Sequence, residues 1–93
     1  MLARTLSVGD VVMIGDQRMR LSSVSQSHKN CIMTIGGNVD FLLVQGDAID
    51  LPGGYMVIPE IGRSVRCNFH IDASVRIQHV TNDVTVKFKK KRG

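Results

Sequence analysis

The side chains able to carry out chemistry in this chain are few and scattered. Three histidines, His28, His70 and His79, two cysteines, Cys31 and Cys67, and eight carboxylates are spread over 93 residues. His70 and His79 could approach across neighbouring strands with Cys67 nearby, yet their spacing matches no metal-ligand signature, so no metal is expected. Asp47 and Asp50 are close in sequence but lack a partner acid, and Ser22 and Ser23 have no adjacent base. Catalysis needs a nucleophile or base held by a second group. There is also no phosphate-cradling glycine loop and no CxxC pair. These residues therefore predict a binder without enzymatic activity and without a cofactor. Both cysteines stand among alternating apolar residues and are expected as small buried hydrophobes in a reducing compartment.

The cations offer more. The formal net charge is +4, and it is unevenly placed. Residues 1–51 hold four Lys and Arg against five Asp, whereas residues 52–93 hold eight against three Asp and Glu. An imbalance of this kind points the second half toward a polyanion. Arg66, His70, Arg76, Lys87 and Lys89, interleaved with Asn68 and Gln78, would form a cationic face for phosphate. Lys89 to Arg92 reads equally as a solubilising tail. Aromatic residues for base stacking are scarce: Phe41, Tyr55, Phe69 and Phe88, of which Phe69 and Phe88 fall on apolar faces.

The elements that must position these residues are strands. Apolar residues alternate nearly throughout, and no segment keeps a 3.6-residue period over eleven residues, so an all-β fold is predicted. Val11–Ile14 is a β-branched run closed by a tight turn at Gly15-Asp16, where glycine accepts positive φ. Arg18–Leu21 continues as strand, Ser22–Asn30 reads as a polar loop, and Cys31–Ile35 and Val39–Val44 are further strands. Pro52-Gly53-Gly54 is the strongest punctuation, because proline removes a ladder donor and glycine weakens a strand. It divides the chain into a β-unit, residues 1–51, and a basic β-rich extension, residues 52–93. In the extension, Tyr55–Ile58 turns at Pro59. Val65–Ile71, Val75–Gln78 and Val84–Lys89 then form a three-strand meander with one apolar and one basic face. No apolar run reaches the roughly 18 residues of a membrane span, and the N-terminus lacks a signal-peptide core. A cytoplasmic protein is expected.

The first half carries a further pattern. Met1-Leu2, Thr5, Val8-Gly9-Asp10 and Met13-Ile14-Gly15-Asp16, followed by Cys31-Ile32-Met33-Thr34-Ile35-Gly36, resembles the CsrA/RsmA family of carbon storage regulators, which are translational repressors. Leu42 to Ile49 fits the family's later strand loosely, so the resemblance covers residues 1–51. It implies an intertwined homodimer in which the first strand of each subunit lies beside the last family strand of the other. It also implies binding of RNA hairpin loops at the edges so formed, with Arg4 and Thr5 at the site. The sequence departs from the family where charge matters. Leu6 and Ser7 replace its paired arginines, Gln45 and Gly46 replace its His-Arg, and the β-extension replaces its C-terminal helix. Each lost phosphate contact removes electrostatic affinity.

Two functions therefore stand open. The chain is an RNA-binding regulator of translation whose extension replaces the charge lost from the first half. Alternatively, it is a structural or protein-interaction β-module that uses its strand edges.

Overall fold

The structure is a computed structural model that describes residues 1–80. These residues form nine strands and no helix: β1 (Leu2–Leu6), β2 (Val11–Ile14), β3 (Gln17–Ser25), β4 (Asn30–Ile35), β5 (Val39–Val44), β6 (Ala48–Leu51), β7 (Gly54–Ile61), β8 (Val65–Ile71) and β9 (Ile77–Val80). They build a four-stranded sheet in the order β1-β8-β7-β6 and a five-stranded sheet in the order β5-β4-β3-β2-β9. Every pairing among them is antiparallel. The fold is all-β, as the alternation predicts, and no helix among the described residues is long and apolar enough to cross a membrane.

Alternation decides which face of each strand is buried. Along β4, Cys31, Met33 and Ile35 are buried while Asn30, Ile32 and Thr34 are only half-buried. Along β8, Val65, Cys67 and Phe69 are buried while Arg66 is exposed. The inward residues of both sheets, among them Leu6, Ile14, Met19, Leu21, Met56 and Phe69, join in one hydrophobic core. Both cysteines are buried free thiols within it. The β2–β3 hairpin closes through Gly15-Asp16, with Ile14 opposite Gln17 and Gly15 at φ 59°. Strands from before and after Pro52 share both sheets: β1 pairs with β8, β2 pairs with β9, and Pro52-Gly53 forms the turn of the β6–β7 hairpin.

Three local expectations are corrected. The polar stretch after Leu21 is strand, because β3 continues to Ser25 across a bulge between Leu21 and Ser23. At the bulge the Ser22 hydroxyl meets Thr34 Oγ1 at 2.5 Å, so a side-chain bond ties down the irregular residue. Pro59 does not turn the chain. It falls in the irregularity between Val57 and Glu60, where a missing backbone donor is tolerated. Nor do Val65–Ile71 and the following strand form a meander. β8 lies between β1 and β7, whereas β9 lies beside β2 in the other sheet. The connection crosses over in a turn in which Val75 N–H donates to the Asp72 carbonyl and Gly15 N–H donates to the Arg76 carbonyl. Val84–Lys89 lies outside the described residues.

Candidate nucleic-acid interface

The outer face of the four-stranded sheet gathers four of the polar residues singled out from the sequence, Thr5, Arg66, Asn68 and His70. β1 and β8 pair in the register Thr5↔Arg66 and Ala3↔Asn68. β8 and β7 continue it as Asn68↔Val57, His70↔Tyr55 and Arg66↔Glu60. Directly paired residues project to the same side of a sheet, so Thr5, Arg66, Asn68, His70, Tyr55 and Glu60 share one face. Arg66, Thr5 and Tyr55 are exposed, and Asn68 and His70 are half-buried. Met1, Ala3, Pro59, Glu60, Arg66 and Asn68 line a shallow depression at the Arg66 end.

At the other end the Tyr55 and His70 rings stack, with centroids 4.8 Å apart and planes 13° from parallel. Local backbone geometry puts them there. The tight β6–β7 turn has Gly53 at φ 81°, and a β-carbon on Gly54 would collide with the His70 carbonyl. The close approach at Gly54 brings the next residue, Tyr55, against His70. A nearly parallel pair of rings, with Tyr55 exposed and His70 half-buried, is a platform on which an unstacked base can continue the stack. Arg66 lies on the same side of β8 at four residues' distance and supplies a cation for phosphate.

The remaining predicted site residues do not join this face. Arg4 sits opposite buried Cys67, on the side of β1 that bears Leu2 and Leu6; it is exposed, and its Nη1 donates to the Ala3 carbonyl at 3.1 Å. Arg76 lies in the crossover turn, also exposed. In that turn the Ser74 backbone N–H, and after it the Ser74 hydroxyl, hold the Asp72 carboxyl below its ordinary pKa. Lys87 and Lys89 lie outside the described residues. His79 does not approach His70. It stands on β9 in the other sheet, with Nε2 at 3.2 Å from Oδ2 of the buried Asp10.

Sequence reasoning named Tyr55 only as a scarce aromatic and did not weigh Glu60. Both became relevant through register. Tyr55 meets His70 and Glu60 meets Arg66 only because β7 and β8 pair with an irregularity at Val57–Glu60, which no local pattern announces. The described residues are also electrically balanced. Residues 1–80 hold seven Lys and Arg against seven Asp and Glu, whereas residues 81–93 hold five against one. The whole net charge of the chain therefore comes from its last thirteen residues.

Among known proteins, no family model, no curated protein and no solved structure matches this chain.

Proposed function

We propose that the protein is a non-enzymatic, cytoplasmic RNA-binding regulator of translation, of the kind its first half resembles, acting on single-stranded or hairpin-loop RNA. The observation that carries this reading is the Tyr55–His70 stack on an open sheet face that also bears Arg66, Asn68 and Thr5. Exposed bases of a loop are recognised by stacking and by polar groups on their edges, and sheet faces are a recurrent surface for this. Arg66 contacts phosphate, Asn68 and Thr5 offer hydrogen bonds to base edges or ribose, and the five cations after residue 86 add attraction that salt weakens.

The test is a filter-binding titration of the full chain with a hairpin bearing GGA in its loop, the loop sequence that the resemblance to the CsrA/RsmA family implies, and with a scrambled control. Tighter binding to the GGA hairpin, weakened by Arg66→Ala more than by Arg4→Ala, is the expected result. Equal, weak and salt-sensitive binding to both RNAs removes sequence-specific regulation. No binding to either removes the reading altogether. A second reading, a protein-interaction β-module, has one observation in its favour: β5 is an edge strand whose side chains are mostly apolar and exposed.

A further inference from the structure

Strand β5 borders the five-stranded sheet and, among the described residues, has a single partner, β4. In an antiparallel pair, alternate residues direct both backbone groups to the partner or away from it. Gln45 N–H donates to the Lys29 carbonyl at 2.9 Å, in the same register that places Val44 opposite Asn30. Leu43, Phe41 and Val39 therefore face β4 with their backbone groups, and Val44, Leu42 and Asp40 face outward. The outward groups of Val44 are already engaged. Its N–H donates to Asp47 Oδ2 at 2.9 Å and its carbonyl accepts from Asp47 N–H at 3.0 Å. Among the described residues the open edge is thus reduced to the N–H and C=O of Asp40 and of Leu42.

The side chains beside this edge are apolar. Leu42 is 64% exposed, Val39 52%, Val44 45% and Phe41 37%. Phe41 stands opposite Met33, on the inward side of β5, yet is only partly covered. Edges of sheets are ordinarily blunted by lysine, proline, charge or shortness. β5 has six residues, no lysine, no proline and one acid, Asp40. That acid is drawn back over β4, where Thr34 Oγ1 donates to its Oδ1 at 2.7 Å. By contrast β1 carries Arg4, and β6 is four residues long and carries Asp50.

We propose that β5 is a homodimerisation edge, pairing antiparallel with β5 of a second copy of this chain about a twofold axis at Phe41. The open groups select both the occupant and the register. With Asp40 opposite Leu42 of the second copy, and Leu42 opposite its Asp40, each pair exchanges two hydrogen bonds and every open group is used. Phe41 then faces Phe41 of the second copy at a closely spaced, non-hydrogen-bonded position. A shift of one pair places Asp40 against Asp40, where like charges oppose. The opposite shift places Leu42 against Leu42 and Asp40 against Val44, whose groups Asp47 already holds. The edge is therefore self-complementary in one register, as a twofold interface requires. The two five-stranded sheets become continuous across the seam. A strand pair this short buries less than the roughly 1,000 Å² of a firmly stable interface, so the dimer dissociates on the order of micromolar concentrations. This mode differs from strand exchange, because β1 stays on β8 of its own chain, with Leu2 opposite Phe69. It is independent of the RNA reading.

The experiment is sedimentation velocity on the full chain across the micromolar range, together with two variants. Leu42→Lys should keep the β circular dichroism spectrum and raise the dimer dissociation constant at least about tenfold. Phe41→Cys should give a symmetric disulfide-linked dimer under mild oxidation. Cys31 and Cys67 are buried and do not compete. Concentration-dependent dimerisation, its loss in Leu42→Lys and the cross-link formed by Phe41→Cys together support the β5 edge. A monomer throughout the range overturns it. So does a dimer that Leu42→Lys leaves intact, or one in which Phe41→Cys fails to cross-link; either result places the interface elsewhere, strand exchange of β1 included.

Discussion

Tyr55 and His70 are cross-strand partners on β7 and β8, and their rings stack 4.8 Å apart at an angle of 13°. Neither residue is an ordinary core aromatic: Tyr55 is 43% exposed. If this pair is the stacking platform for RNA, Tyr55→Ala should weaken binding on the order of tenfold, while Tyr55→Phe, which keeps the ring, should bind nearly as wild type. A fluorescence-anisotropy titration at fixed salt measures both. Equal loss in the two variants would show that the hydroxyl rather than the ring is in use.

Glu60 lies directly opposite Arg66, so the cation expected to meet phosphate has an acid beside it. Glu60→Gln should tighten RNA binding, and Arg66→Ala should weaken it and reduce the slope of log K against log salt by about one. Titrations at several salt concentrations separate this from a change in folding. A Glu60→Gln variant with unchanged affinity would place the RNA away from this face.

Asp10 is buried, accepts from Ser7 N–H at 3.0 Å and has His79 Nε2 at 3.2 Å. It ties the loop after β1 to β9, elements far apart in sequence. Asp10→Ala removes the buried acceptor that holds the part-buried Ser7 N–H and His79 ring and should cost about 1–2 kcal/mol. His79→Ala, at a partly exposed position, should cost less. Urea unfolding monitored by circular dichroism gives both values.

Burial pushes the Cys31 thiol up to about 11, with Asp47 adding to the shift, and burial pushes the Cys67 thiol up to about 12, with Cys31 adding to it. Both thiols should resist a thiol-reactive disulfide reagent at pH 8 in the native protein and react fully in denaturant. The sign of the linkage follows. These folded pKa values lie above the ordinary 9.0, so the stability tied to the neutral thiols is fully present below pH 9. It is lost as pH rises through 11 to 12, because unfolded thiols ionise first. Urea midpoints should therefore fall above pH 9, and replacing both cysteines by alanine should flatten that part of the profile.

Gly53 combines a φ of 81° with a Val75 methyl 2.7 Å from where a β-carbon would stand. Gly53→Ala should destabilise the fold by about 1–3 kcal/mol through backbone strain and displacement of Val75. Thermal unfolding checks this. It should also disturb the Tyr55–His70 stack, two residues further along the same turn.

Much of the fold was legible in the sequence because a half-buried strand writes its two faces as alternation. Val65, Cys67 and Phe69 against Arg66, Asn68 and His70 is one such strand, and the structure buries the first set. The Gly15-Asp16 turn was legible for a similarly local reason, since it needs a residue that accepts positive φ. The strand continuing through Ser22–Ser25 was not, because serines are as common in loops, and here a cross-strand bond to Thr34 decides the matter. Pro59 misled in the opposite way. A bulge can hold a proline inside a strand without turning the chain.

By itself, then, the sequence determined the all-β class, the inward and outward residues of the best strands and the concentration of positive charge at its C-terminal end. These follow from side-chain period and composition, which each segment carries alone. Only the tertiary structure decided which strands are neighbours. It set β8 between β1 and β7 rather than beside β9, so that Thr5, Arg66, His70 and Tyr55 share a face while Arg4 and His79 do not. Strand order and register depend on how two sheets close over one core, and a pairing that satisfies two distant segments at once leaves no mark within either of them.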